Sequence, residues 1–296
     1  MPIGVITFDF DPLLRLGDDL VVRWQAVALA VAFIMVLVVV ALVARRRGLR
    51  SDDLLSIVVG AVPGAVVGGR IGYLLVHPDA FAAGPHTFID PAVGGLELAT
   101  GVVGGLLTGA YVAVLLGASV RAWARVVAIP LLVALAAGKL AMVTAGSGQG
   151  LPTDLAWATA YVGPGPWGSI APDLASHPSQ AYEAAGTLAV AVVLVMAIAA
   201  GLAGTGGRIR TADGRLLLLA IAGWAVVRAV VSTTWRDPVG PGPLPAGGWL
   251  ALVVAAGAVV LVAVDTWLGR RRVAAGEPDP ESAVPDWPDP ATRPRF

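Results

Sequence analysis

The chain has 296 residues, 57% of them hydrophobic and 14% charged, and its 20 basic residues balance its 20 acidic ones. Apolar runs of this length exceed what a soluble core needs and define a multi-span membrane protein, while the zero charge balance gives no reason to expect a nucleic-acid partner and leaves only the placement of charges informative. The absence of cysteine excludes disulfides, thiolate metal sites and a cysteine nucleophile, so any thiol in the chemistry must arrive with the substrate.

In chain order, residues 1–20 carry Asp9, Asp11, Asp18 and Asp19 against a lone Arg15, the wrong sign for the cationic start of a signal peptide, and no cleaved segment is expected. Apolar stretches of spanning length follow at 21–44, 54–76, 94–116, 126–143, 182–202, 216–235 and 249–268, which makes seven. Arginines cluster after alternate spans, at Arg45–Arg47 and Arg50, Arg121 and Arg125, Arg208, Arg210 and Arg215, and Arg270–Arg272. The positive-inside bias then places the amino terminus outside and the carboxyl terminus in the cytoplasm. The expected fold is all-α, a polytopic seven-helix unit over residues 1–272 with outer loops at 77–93, 144–181 and 236–248. A Pro- and acid-rich cytoplasmic tail over 273–296 is too polar to fold. Trp24, Trp235 and Trp249 fall near outer boundaries and Trp123 and Trp267 near inner ones, as interfacial anchors do. Gly60, Gly64, Gly68 and Gly72 in span two, and Gly101, Gly105 and Gly109 in span three, recur every four residues, the spacing of ridges that let helices approach closely in lipid.

The stretch His177-Pro178-Ser179-Gln180-Ala181-Tyr182-Glu183 opens the fifth span. With Pro178 at the first helical position, Ser179, Tyr182, Glu183 and Gly186 form one stripe at the positive end of a helix dipole. Five ionisable residues lie inside the spans at one depth, in the outer half: Arg70, Glu97, Lys139, Glu183 and Arg228. Left facing lipid, each would cost roughly 2.5–3.5 kcal/mol at mid-membrane and less near the interface, so they are expected to face one another or a wet cavity. Three cations against two carboxylates suit a singly charged phosphodiester entering from the outer leaflet. Arg70 and Arg228 are the preferred phosphate ligands, because a guanidinium fork donates two parallel hydrogen bonds. For any one of these charges the competing reading is half of a buried ion pair that fixes helix register. His77, His86 and His177 lack metal-ligand spacing, so neither a metal nor another cofactor is expected. Asp265 is expected to pair with the arginines that follow it.

These residues resemble the bacterial phosphatidylglycerol–prolipoprotein diacylglyceryl transferases from about Phe10 to Arg272. The resemblance rests on Arg23-Trp24, Gly69-Arg70-Ile71-Gly72-Tyr73, Gly94-Gly95-Leu96, Pro152-Thr153-Asp154-Leu155-Ala156-Trp157 and the stretch from His177 to Glu183. It implies transfer of the diacylglyceryl group of phosphatidylglycerol to the lipobox cysteine thiol of a preprolipoprotein in the bacterial plasma membrane, with glycerol phosphate leaving. Glu183, Arg228 and Glu97 are then the candidate catalytic residues, Glu183 or Glu97 aiding thiol deprotonation. Lys139, Arg70, Tyr73, His177, Ser179, Gln180 and Tyr182 are the candidate substrate-binding residues. Lys139 stands where the family has an arginine that contacts lipid, and Arg228 matches a second important arginine.

The chain also departs from the family pattern. Met142 replaces an asparagine, Ala145-Gly146-Ser147 lacks an expected carboxylate, Ser232 replaces an acidic residue, Ala99 or its neighbour replaces a histidine, and Gln25 replaces a tyrosine. Two other readings therefore stand beside the transferase: an inactive relative that binds phospholipid or lipoprotein precursor, and a transporter of an anionic solute or lipid.

Overall fold

The computed structural model describes residues 4–17, 19–82, 84–90, 92–201, 214–237, 240 and 242–275. Arg208 and Arg210, and all but the start of the expected tail, lie outside these residues. Among the described residues seven helices are long and apolar enough to cross a membrane: α1 (Trp24–Arg46), α2 (Ser51–Val76), α3 (Leu98–Leu115), α4 (Val120–Val143), α5 (Ser179–Ala199), α6 (Arg215–Ser232) and α7 (Ala246–Ala274). Their ends differ from the apolar runs for local reasons. Ser119 caps α4, its Oγ accepting the Ala122 N–H at 3.3 Å, so the helix begins with the arginine-bearing turn before the apolar run. Glu97 caps α3 in the same way, which puts the carboxylate just outside the helix. α7 continues to Ala274, past the expected domain boundary at 272.

The all-α expectation needs correcting in one respect, because four short strands form two small sheets. β1 (Ile6–Phe8) pairs in parallel with β4 (Thr159–Tyr161), and β2 (Leu13–Leu16) pairs with β3 (Leu20–Arg23) in an antiparallel hairpin that leads into α1. Strands of three or four residues are too short to leave a periodic signal. Phe8 stacks on Tyr161 at 4.9 Å and Phe10 meets Trp167 edge-on at 5.2 Å, so the segment before α1 is bound to the long loop between α4 and α5.

α2 and α3 form the tightest helix pair. A Cβ on Gly64 or Gly68 would collide with the carbonyl oxygen of Gly104 or Thr100, and one on Gly104 with that of Gly64. The expected ridge on α2 is therefore a contact ridge, and on α3 the closest approach is at Gly104, one residue before the Gly105 position. α6 lies at the centre of the bundle, with Trp224 and Ala225 wholly buried among Ala99 of α3, Ala128 and Leu132 of α4, Ala191 of α5 and Ala255 of α7.

At the arginine-rich end two expectations change. Asp265 pairs with Arg215 at 2.5 Å and Arg121 at 3.6 Å, ligands from α6 and α4 and not the arginines after it. Trp123 is buried against α1 and α2, whereas Trp24, Trp249 and Trp267 are exposed as anchors should be.

Candidate active site

Antiparallel packing brings the start of α3, the end of α4, the start of α5 and the end of α6 to one level, and four of the five expected charges meet there. Arg228 donates from Nη1 to Glu183 Oε1 at 3.0 Å and Oε2 at 3.3 Å, and from Nη2 to Glu97 Oε1 at 2.8 Å. Lys139 Nζ lies 2.9 Å from Glu183 Oε2. The second Glu97 oxygen accepts from the Thr100 N–H at 2.9 Å, so its cap role and its ion pair fix one rotamer. Glu183 is fully buried, which makes two cations on one carboxylate a compensation for its desolvation.

Arg70, the fifth charge, is elsewhere. Its guanidinium gives all its donors to backbone carbonyls of Thr87, Phe88, Asp90, Val93 and Gly95 at 2.6–3.3 Å. The expectation that Arg70 binds phosphate is thus replaced by a structural role: it folds the 84–95 loop around itself, between the rings of Phe81 and Phe88. Tyr73, three residues on from Arg70 in α2, packs on His77 and against Gly94 of that loop. Without Arg70 the remaining four charges balance, and the expected excess of one positive charge disappears.

The His177–Glu183 stretch fans out. Pro178 is the N-cap and not the first helical residue, its carbonyl accepting from Ala181 and Tyr182 at 2.9 and 3.1 Å. Ser179 Oγ lies 2.6 Å from Thr234 Oγ1, tying α5 to the turn after α6. Tyr182 OH accepts from Trp157 Nε1 at 2.6 Å and meets His177 Nδ1 at 3.4 Å. Gln180 donates to Tyr161 OH at 3.1 Å, and its buried Oε1 has no partner among the described residues. Burial pushes the Tyr161 phenol up to about 12, so it stays protonated.

Two spaces meet at the ion pairs. A polar cavity of about 200 Å³ is lined by Lys139, Arg228, Gln149, Gln180, Trp235, Arg236 and Asp237. An apolar groove of about 560 Å³ runs between α2, α3 and α4 from Leu54 and Trp123 up to Leu96 and Glu97, with Glu97 its one charged lining residue. The Arg228–Glu97 pair therefore has its guanidinium in the polar cavity and its carboxylate at the head of the groove.

Sequence reasoning missed the segment after α6. Trp235, read as an interfacial anchor, lies over the Arg228 guanidinium at 4.5 Å and 5.8 Å from Lys139 Nζ. Arg236 donates to Gly150 O at 2.6 Å, Ser169 Oγ at 3.1 Å and Ser176 Oγ at 2.8 Å, pinning the long loop over the cavity. The signal was present as Trp-Arg-Asp two turns after Arg228. Several of the departures also touch structure that explains them. Ser147 Oγ faces Gln25 Oε1 at 3.4 Å, so two of the replaced positions are in contact with each other. Ala99 is wholly buried in the core cluster around α6, and the Ser232 hydroxyl packs against Gly248, where an added Cβ would collide with it.

Residues 12–264 match the family model described as prolipoprotein diacylglyceryl transferase. Among curated relatives, a phosphatidylglycerol–prolipoprotein diacylglyceryl transferase of Geobacter sulfurreducens is 30% identical over 192 residues, covering 64% of this chain and 71% of that protein. Proteins of the same name from Trichormus variabilis and Gluconobacter oxydans are 27% and 30% identical over 248 and 229 residues, covering 82% and 75% of this chain and 86% and 78% of theirs.

Proposed function

The chain belongs to the prolipoprotein diacylglyceryl transferase family, and on that premise we propose that it moves the diacylglyceryl group of phosphatidylglycerol to the cysteine thiol of a prolipoprotein. The observation that carries this reading is the junction of the two spaces at Arg228–Glu97. An apolar groove that ends on a buried guanidinium facing a polar cavity matches a substrate with two acyl chains and a phosphate headgroup.

In this reading Arg228 and Lys139 hold the phosphate as the carbon–oxygen bond breaks and negative charge gathers on the leaving oxygen, the change that fixed cations stabilise most. Arg228 Nε, buried and without a partner among the described residues, is the donor left for a phosphate oxygen. Glu183 and Glu97 hold the two cations in place. The Glu183 oxygens are engaged by Arg228 and Lys139, and those of Glu97 by Arg228 and the Thr100 N–H, which argues against the deprotonating role expected of them. Gln180 lines the headgroup cavity, while Ser179, His177 and Tyr182 fix the loop that roofs it.

The arginine clusters support an orientation with the amino terminus outside, the carboxyl terminus in the cytoplasm and the ion-pair site in the outer half of the bacterial plasma membrane. In this reading residues 1–272 form the seven-helix domain, and residues 273–296 are a Pro- and acid-rich tail. Phosphatidylglycerol and the prolipoprotein are the partners, and nucleic acid is not one of them.

The test is mass spectrometry of a lipobox-cysteine peptide incubated with the purified protein in phosphatidylglycerol micelles. A diacylglyceryl increment on the thiol is expected. An unmodified peptide, with phosphatidylglycerol bound through Arg228, would instead favour a lipid-binding relative.

A further inference from the structure

A thiol attacks carbon as the thiolate, so transfer requires a group that takes its proton, and this inference rests on the transferase reading above. Glu97 and Glu183 are committed to Arg228 and Lys139. Among the described residues that line the polar cavity the carboxylate is that of Asp237, in the turn after α6. It makes no hydrogen bond or ion pair with any described residue, yet it shares the cavity wall with Lys139 and Arg228. Its Oδ2 packs toward Gly247 at the start of α7, where a Cβ would lie 3.7 Å away.

We propose that Asp237 is the general base that takes the proton of the incoming thiol. The charged groups that face it are His77 at the end of α2, Glu97 at the start of α3, Lys139 on α4 and Arg228 on α6, with Arg236 beside it in the chain. Burial holds its carboxyl above the ordinary carboxylate range against the pull of His77, Arg228 and Lys139, which makes it a stronger base than an exposed aspartate.

The step balances as follows. The S–H proton goes to Asp237 Oδ, and the sulfur lone pair forms an S–C bond to the glyceryl carbon. The C–O bond to phosphate breaks, and its electron pair leaves with glycerol phosphate. A phosphodiester of charge −1 becomes a monoester dianion while Asp237 becomes neutral beside it. The proton then passes to the monoester, whose second pKa is about 6, or to water.

The experiment compares wild type, Asp237→Asn and Asp237→Glu across pH with the lipobox peptide, together with phosphatidylglycerol binding. For Asp237→Asn the expected result is a loss of turnover of about 10²–10⁴-fold near pH 7, the range of a general base. Its phosphatidylglycerol affinity should be unchanged, and its rate should climb about tenfold per pH unit toward the thiol pKa of about 8.5, where thiolate forms unaided. Wild type should instead lose activity on the acid side, as Asp237 protonates, and Asp237→Glu should regain part of the rate. Asp237→Asn turning over like wild type with the same pH profile, or losing lipid binding together with turnover, would overturn the assignment alone. A wild-type protein that makes no product would overturn the transferase reading, and the assignment with it.

Discussion

Arg228 is the residue on which the site turns: it bonds both carboxylates, lies under Trp235 and reaches the cavity. Arg228→Lys keeps the charge but cannot bond Glu183 and Glu97 together, and kcat/KM measured with the lipobox peptide should fall by roughly 10²–10³-fold, the loss that follows removal of one donor from a developing anion. Arg228→Ala leaves two carboxylates with one lysine and should also destabilise the protein by about 3–5 kcal/mol, read as a lower midpoint in detergent unfolding. Five charges at one depth of the apolar spans were legible in the sequence, because the cost of charge in lipid demands partners. Which partner each charge takes was not. Arg70 spends its donors on carbonyls of a loop without apolar periodicity, and no side-chain pattern records that choice. Asp237 was passed over because it lies outside the spans, where a carboxylate needs no justification.

At the scale of elements, the seven helices were written in the apolar runs and the α2–α3 contact in the four-residue spacing of glycine. Gly104→Val should separate this pair and cost at least about 2 kcal/mol, seen as loss of folded protein on size exclusion. Gly257→Ala in α7, where nothing lies within 4 Å of the added Cβ, should be neutral or stabilising by up to about 1 kcal/mol. Arg70→Met should leave phosphatidylglycerol affinity intact but expose the 84–95 loop to protease, since that loop is folded on the guanidinium. Lost lipid affinity with an intact loop would restore Arg70 as a phosphate ligand. The sheets were not legible, because β1 and β4 lie some 150 residues apart and each is three residues long.

For the whole molecule, the arginine-rich end and the loop-rich end give the bundle a polarity that labelling can read, and the absence of native cysteine makes single introduced cysteines specific. A cysteine at Ser169 should react with an impermeant maleimide in intact cells, and one at Arg47 only after permeabilisation; the reverse pattern would invert the orientation. In the proposed reaction one buried cation cluster, between an apolar groove and a polar cavity, exchanges a lipid phosphate for a thiol. The most direct measurement follows thioether and free glycerol phosphate in the same sample of wild type, Arg228→Lys and Lys139→Ala. Both products should rise together in wild type, one to one, and fall together in the variants. Glycerol phosphate released without thioether, or thioether formed at wild-type rate by both variants, would contradict that reaction.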